Sequence, residues 1–197
     1  MSRGFTEEEK KELKERLIQV FIEELNHQKI SSINIDDLVK KVGIAKGSFY
    51  HFFKSKDDLF AEVINKIQDN IINKSTYLAE EDKLPAKDRL KKILLYLVAT
   101  IGQYPWIKQL SNVEYAKLIR RLPDDAKEKL RQKDITDLTR ILEILNLKTV
   151  YPYENITVMV QIIFSSALNK DDYGDKYDES IKILVDILID HIFTERR

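Results

Sequence analysis

Cysteine is missing from all 197 residues, which excludes a disulfide framework, a thiolate zinc site and a thiol nucleophile, and suits a reducing cytoplasm. Glycine and proline are scarce, at five and four residues. The long stretches between them repeat their apolar residues with a period near 3.6 rather than 2, so the expected class is all-α, with about nine helices. No apolar run approaches the roughly 20 residues of a membrane span, and the opening residues, MSRGFTEEEKKELKE, lack the apolar core of a signal peptide. A soluble, cytoplasmic protein without a membrane partner is expected. Neither sign of charge is in excess, with 33 basic and 33 acidic residues. A net charge of zero excludes a surface that coats nucleic acid everywhere, so any basic face must be local. His27 and His191 stand apart from each other and from any spaced carboxylate set, and no phosphate loop is present, so no metal site, cofactor or catalytic residue is expected. His191 reads as a cation at a helix C-terminus.

Acid is also missing from one stretch where base is plentiful. Residues 40–56 hold five lysines and no Asp or Glu. Through residue 56 the chain has eleven basic against nine acidic side chains, which leaves the other 141 residues with a net charge of minus two. The same stretch carries a helix-turn-helix pattern. Asn34 caps a first short helix, with Asp37 in its first turn where a carboxylate favours the helix N-terminus. Ile35, Leu38, Val39 and Val42 fall at i, i+3, i+4 and i+7, one buried stripe. Gly43 is the left-handed stop and Ile44 the apolar plug of the turn. The second helix runs over about residues 46–53 and exposes Lys46, Gly47, Ser48, Tyr50 and His51.

The run Gly43-Ile44-Ala45-Lys46-Gly47-Ser48-Phe49-Tyr50, continued by Phe53-Lys54-Ser55-Lys56-Asp57-Asp58-Leu59, resembles the tetracycline-repressor (TetR) family of one-component transcriptional regulators. The resemblance covers roughly the first third of the chain. It implies an operator of double-stranded DNA as partner, a homodimer, and a small-molecule effector bound in the C-terminal part. The family usually has Ser at the position of Ala45 and often His or Tyr at that of Phe52, so the cap and the phosphate contact those residues supply are absent here.

DNA contacts are expected from eight residues. Gly47, without a side chain, lets the second helix approach DNA closely, and Ser48 reaches a phosphate or a base. Phe49 either touches a thymine methyl or packs inward. Tyr50 packs its ring on the head and offers its hydroxyl to a phosphate. Lys46 and Lys56 are point charges for the backbone, the latter at the N-terminus of the next helix. His51 faces either DNA or solvent, and Asn34 contacts phosphate besides capping.

The remaining helices are placed by their ends. Thr6 and Glu9 form a capping box for a helix to about residue 27, and Ser55 with Asp58 opens a long helix past residue 72. Pro85, Pro105, Pro123 and Pro152 punctuate the C-terminal two thirds of the chain, with a helix across 113–122, another to about 145, and a last one ending near Phe193. Expected domains are residues 1–57, the helix-turn-helix head, and 58–197, a helical effector-binding and dimerisation domain. Residues 156–168 and 181–193 are apolar on more than one face, which implies burial on two sides, either as two central core helices or against the core and a partner. The resemblance implies that these two helices pair with their copies in a dimer, with Ile163, Ala167, Leu184, Leu188 and Ile192 as candidate interface residues. It also implies an effector cavity, for which Tyr96, Thr100, Gln103, Tyr104, Trp106, Tyr115, Met159, Gln161 and Phe164 are of suitable type. The function expected is a ligand-responsive regulator, a repressor released by its effector. The alternatives from other classes are a helical carrier or enzyme using the same cavity, and a dimeric protein-binding scaffold.

Overall fold

The computed structural model describes residues 5–104, 106–107 and 124–196. Among them are eight α-helices: α1 (Glu7–His27), α2 (Ile35–Val42), α3 (Lys46–Phe52), α4 (Lys56–Glu80), α5 (Ala86–Ile101), α6 (Asp124–Ile144), α7 (Tyr153–Leu168) and α8 (Tyr177–Ile192). The expected helix across 113–122, with Tyr115, lies outside the described residues. No helix among the described residues is long and apolar enough to cross a membrane.

The chain divides into two compact units, Met1–Asp69 and Asn70–Arg197. The division falls within α4, because Leu59, Phe60, Val63 and Ile67 are buried and Phe60 meets Phe21 of α1 edge-on at 6.5 Å. Lys14 and Glu15 of α1 also pair with Glu62 and Lys66 of α4. The first turns of α4 therefore belong to the head.

In the head, local chemistry sets the starts of α1, α2 and α4 and the end of α2. The Thr6 hydroxyl accepts from the Glu9 N–H while the Glu9 carboxylate accepts from the Thr6 N–H, so α1 starts in a complete capping box. Asn34 Oδ1 accepts from the Asp36 N–H at 3.0 Å and caps α2. Gly43 ends α2 at φ 80°, ψ 33°, a left-handed conformation that costs glycine little, and the N–H groups of Gly43 and Ile44 both reach the Val39 carbonyl. Ala45 supplies no side-chain cap to α3, as its methyl group dictates. At α4, Ser55 Oγ accepts from the Asp58 N–H, but the Asp58 carboxylate turns back one residue further, to the Lys54 N–H. Leu17, Ile18, Phe21, Leu25, Leu38, Val39, Val42, Phe49 and Phe53 fill the core between these helices.

In the second unit α5 packs on both α7 and α8, and α6 packs on α7. Leu90, Ile93, Leu94, Ile141, Leu142, Leu145, Ile156, Ile163, Val185 and Ile189 form its core. One element departs from the helical expectation. Phe193 begins a strand, β2 (Phe193–Glu195), that pairs antiparallel with β1 (Leu147–Thr149) in the register Leu147↔Glu195, Lys148↔Thr194, Thr149↔Phe193. Asn146, at φ 54°, turns the chain from α6 into β1. Arg196 reinforces the ladder, with its N–H on the Asn146 carbonyl and its Nε on the Leu147 carbonyl. β-branching at Thr149 and Thr194 and the apolar Leu147 and Phe193, both buried, favour extended pairing over another helical turn.

Candidate nucleic-acid interface

The residues that open α2, α3 and α4 converge on one side of the head. Together they line an open cleft of about 430 Å³ bordered by Ser31, Ser32, Ile33, Asn34, Ile35, Lys46, Tyr50 and Lys56. Four residues expected at DNA, Asn34, Lys46, Tyr50 and Lys56, share this concave surface. Its hydroxyl and ammonium groups are donors that suit a phosphate.

The lysines differ in what holds them. Lys56 Nζ donates to the carbonyls of Ile33 at 2.6 Å and Ser31 at 3.2 Å. Its ammonium thus ties the start of α4 to the 3-10 turn at Ile30–Ser32 that precedes α2. Lys46 Nζ lies 2.9 Å from Asp36 Oδ2, across the turn between α2 and α3. That hydrogen bond raises the Lys46 pKa above its ordinary value. Lys41 pairs with Glu24 of α1; the bond from Lys41 lowers the Glu24 pKa, against the opposing effect of burial. Lys40 and Lys54 are exposed.

On α3, Gly47 is exposed, and a Cβ placed there would meet nothing within 4 Å. The fold of the free protein therefore gives no packing reason for glycine at this position. Tyr50 is half-exposed with its ring edge-on to Phe49 at 5.4 Å, and His51 is exposed. Ser48 is partly covered. Phe49 is fully buried and packs at 5.8 Å from Phe53, which removes it from the contact set: of its two sequence readings, the inward one is correct. Sequence reasoning missed Ser31, Ser32 and Asp36. The two serines carry neither charge nor periodicity to mark them as cleft residues, and the Asp36–Lys46 pairing bridges a turn and leaves no periodic trace.

The residues expected at an effector cavity do not gather equally. Thr100 and Trp106 are buried, and Tyr104 meets Trp106 edge-on at 6.0 Å. The Thr100 hydroxyl and that of Ser75, also buried, have no hydrogen-bond partner among the described residues. Tyr96 is partly buried, and Met159 and Phe164 pack against the core. Gln103 and Gln161 are exposed, which separates them from the buried set. Of the expected dimer residues, Ile163, Ala167 and Ile192 are corrected to core positions of their own unit, and Leu188 is partly buried against it. Leu184 is exposed, as are Val158 and Ile162 of α7 and Ile183 and Ile187 of α8. Exposed Ile162 and Ile187 stand beside the buried or partly buried Ile163 and Leu188, because a helix apolar all round does not mark its inner side.

Residues 19–63, which include α2 and α3 and the start of α4, match the family model described as bacterial regulatory proteins, tetR family. An uncharacterised HTH-type transcriptional regulator of Bacillus subtilis (strain 168), YdgC, is 30% identical over 93 residues, 47% of this chain and 47% of its own length. The HTH-type transcriptional regulator AcrR of Shigella flexneri is 30% identical over 66 residues, 34% of this chain and 31% of its own. The chain thus spans about half the length, or less, of these curated relatives. The solved structure of a tetR-family transcriptional regulator from Streptomyces coelicolor shares the fold with a TM-score of 0.66 at 19% identity, covering 89% of this chain and 78% of that one. The head over residues 19–63 is thus similar to that of tetR-family bacterial regulatory proteins, and the chain shares the fold of a solved protein of that family.

Proposed function

We propose that the protein is a DNA-binding transcriptional regulator that docks α3 in the major groove of a pseudo-palindromic operator as a homodimer, and acts as a repressor released by a small molecule. The observation that carries this reading is Gly47. Gly47 lies in the first turn of α3, where glycine is less favourable than alanine by up to about 1 kcal/mol, and nothing in the free head needs the missing side chain. A surface that must come into close contact with DNA accounts for it. The adjoining cleft, with Lys46, Lys56 and the Tyr50 hydroxyl on one wall, supports phosphate anchoring beside the groove.

Two further parts of the reading rest on the second unit. The exposed apolar residues of α7 and α8 favour a two-fold dimer, which doubles the number of base pairs read. Buried Ser75 and Thr100, whose hydroxyls are unpartnered among the described residues, favour a ligand that hydrogen-bonds inside an otherwise apolar interior. α4 contributes residues to both units and is the element through which a ligand would shift the population of head spacings.

The test is a footprint of the purified protein on the DNA upstream of its own gene, followed by anisotropy titrations of wild type and Gly47→Ala. The expected outcome is a symmetric protected site that wild type binds specifically and Gly47→Ala binds at least about tenfold more weakly, although the variant is more heat-stable. Equal operator affinities would remove the close approach of α3.

A further inference from the structure

The acid paired with a lysine of the cleft does not act as a simple first-turn carboxylate. Asp36 sits in the first turn of α2, where its backbone N–H is already held by the Asn34 cap. Its side chain reaches across the turn to Lys46, the first residue of α3 and a wall of the cleft, at 2.9 Å. Both side chains are about half-exposed, 55% for Asp36 and 53% for Lys46. The pair is therefore open to exchange with an incoming anion.

Resting on the DNA-binding reading, we propose that Asp36 is a brake on phosphate binding: its carboxylate occupies the Lys46 ammonium and withholds one cation per subunit from any DNA the head touches. Non-specific binding is almost wholly electrostatic, whereas a matched site adds base contacts. A withheld cation keeps the abundant non-matching DNA weakly bound, and that term sets the competition a regulator faces in a genome. The exposed geometry fixes the scale. Such pairs contribute little, so the brake is worth about two- to fivefold in affinity per subunit rather than an abolition of binding.

The experiment compares wild type, Asp36→Asn, Asp37→Asn and Lys46→Ala, with Asp36→Asn also made in the Lys46→Ala background. Affinity for a random-sequence duplex and for the footprinted operator is read by anisotropy over a range of salt concentrations, and circular dichroism confirms folding. Asp37 is the neighbouring exposed acid and reports the effect of losing one charge without freeing Lys46. Asp36→Asn is expected to tighten random-duplex binding about two- to fivefold for each engaged subunit and to steepen the log-log salt slope by about 0.9 per released lysine. Asp37→Asn is expected to give a smaller gain with an unchanged slope, and the Asp36 effect should fall to that level without Lys46. Equal effects of the two Asp variants, a gain that persists without Lys46, or no gain in a folded Asp36→Asn protein would each overturn the brake. Asp36→Ser, a second variant, covers the case in which Asn perturbs the cap. Wild type that binds neither duplex would sink the regulator reading itself, an outcome distinct from a wild type that binds while its variants fail to differ.

Discussion

Replacing Ile162 by Glu should separate the proposed dimer into monomers, while the same change one residue later should unfold the protein. Ile162 keeps 62% of its surface exposed on α7, and Ile163 only 4%. Complete burial of an isoleucine stabilises by about 1.5–3 kcal/mol, so covering the exposed part of Ile162 contributes about 1–2 kcal/mol. A two-fold axis presents the residue twice and brings that to about 2–4 kcal/mol. Glu removes this term and adds the desolvation of two carboxylates, so the dimer should weaken by at least about two orders of magnitude. Glu at position 163 instead buries a charge among Leu90, Ile156 and Val185 of its own unit, which should cost several kcal/mol of folding. Sedimentation velocity across micromolar concentrations, with circular dichroism melts, distinguishes the two. The reasoning fails if Ile162→Glu sediments with the wild type as a dimer, or if Ile163→Glu melts normally and merely dissociates.

Adjacent aromatic residues on α3 should behave oppositely. Phe49→Ala should lose about 3–5 kcal/mol in urea unfolding, whereas Tyr50→Phe should melt as wild type and weaken operator binding by about 0.5–1.5 kcal/mol through one lost phosphate bond; an operator affinity equal to wild type would take the Tyr50 hydroxyl out of the interface. Lys56→Met removes the charged donor from the carbonyls of Ser31 and Ile33, and should lower head stability by about 2 kcal/mol without any DNA present; an unchanged melting temperature would show that those bonds contribute nothing net. The Glu24 carboxylate has its pKa lowered chiefly by the bond from Lys41, so its contribution is full above the ordinary carboxylate range of about 4.3 and fades as acid titrates it below that range. Denaturant midpoints of wild type and Glu24→Gln should therefore differ near neutrality and converge in acid, and a gap independent of pH would contradict the assignment.

Much of the head was legible in the sequence because its signals are local. Thr6 with Glu9, Asn34 before an apolar stripe, and Gly43 after it each act within one helical turn, and each produced the expected end. Sequence logic stopped where neighbours in the chain compete for the same role. Phe49 and Tyr50 are both aromatic on a helix of seven residues, too short for periodicity to choose the inward ring. The same limit misplaced the outer face of α7, whose apolar residues run nearly all round. Contacts between distant residues were hidden altogether. Neither the bond from Lys46 to Asp36 nor the seat of Lys56 on the Ser31 and Ile33 carbonyls can be read from spacing. In the second unit the short ladder was missed because an apolar helix running into Phe193 shows no break in pattern. The compact head extends to Asp69, within α4, and the apolar stripe of that helix does not say which unit covers it.

The pairing of β1 with β2 also imposes an order on biosynthesis. Leu147 and Glu195 are partners in the ladder, so the chain between them, with α7 and α8, forms a loop that closes at its base only when residue 195 is available. The head draws its core from residues that precede Asn70 and can consolidate while the ribosome is still translating. The second unit has to wait with Phe193 unseated until β2 has left the exit tunnel. Until then β1 has no strand to pair with, so Leu147, buried in the folded unit, cannot reach its final setting.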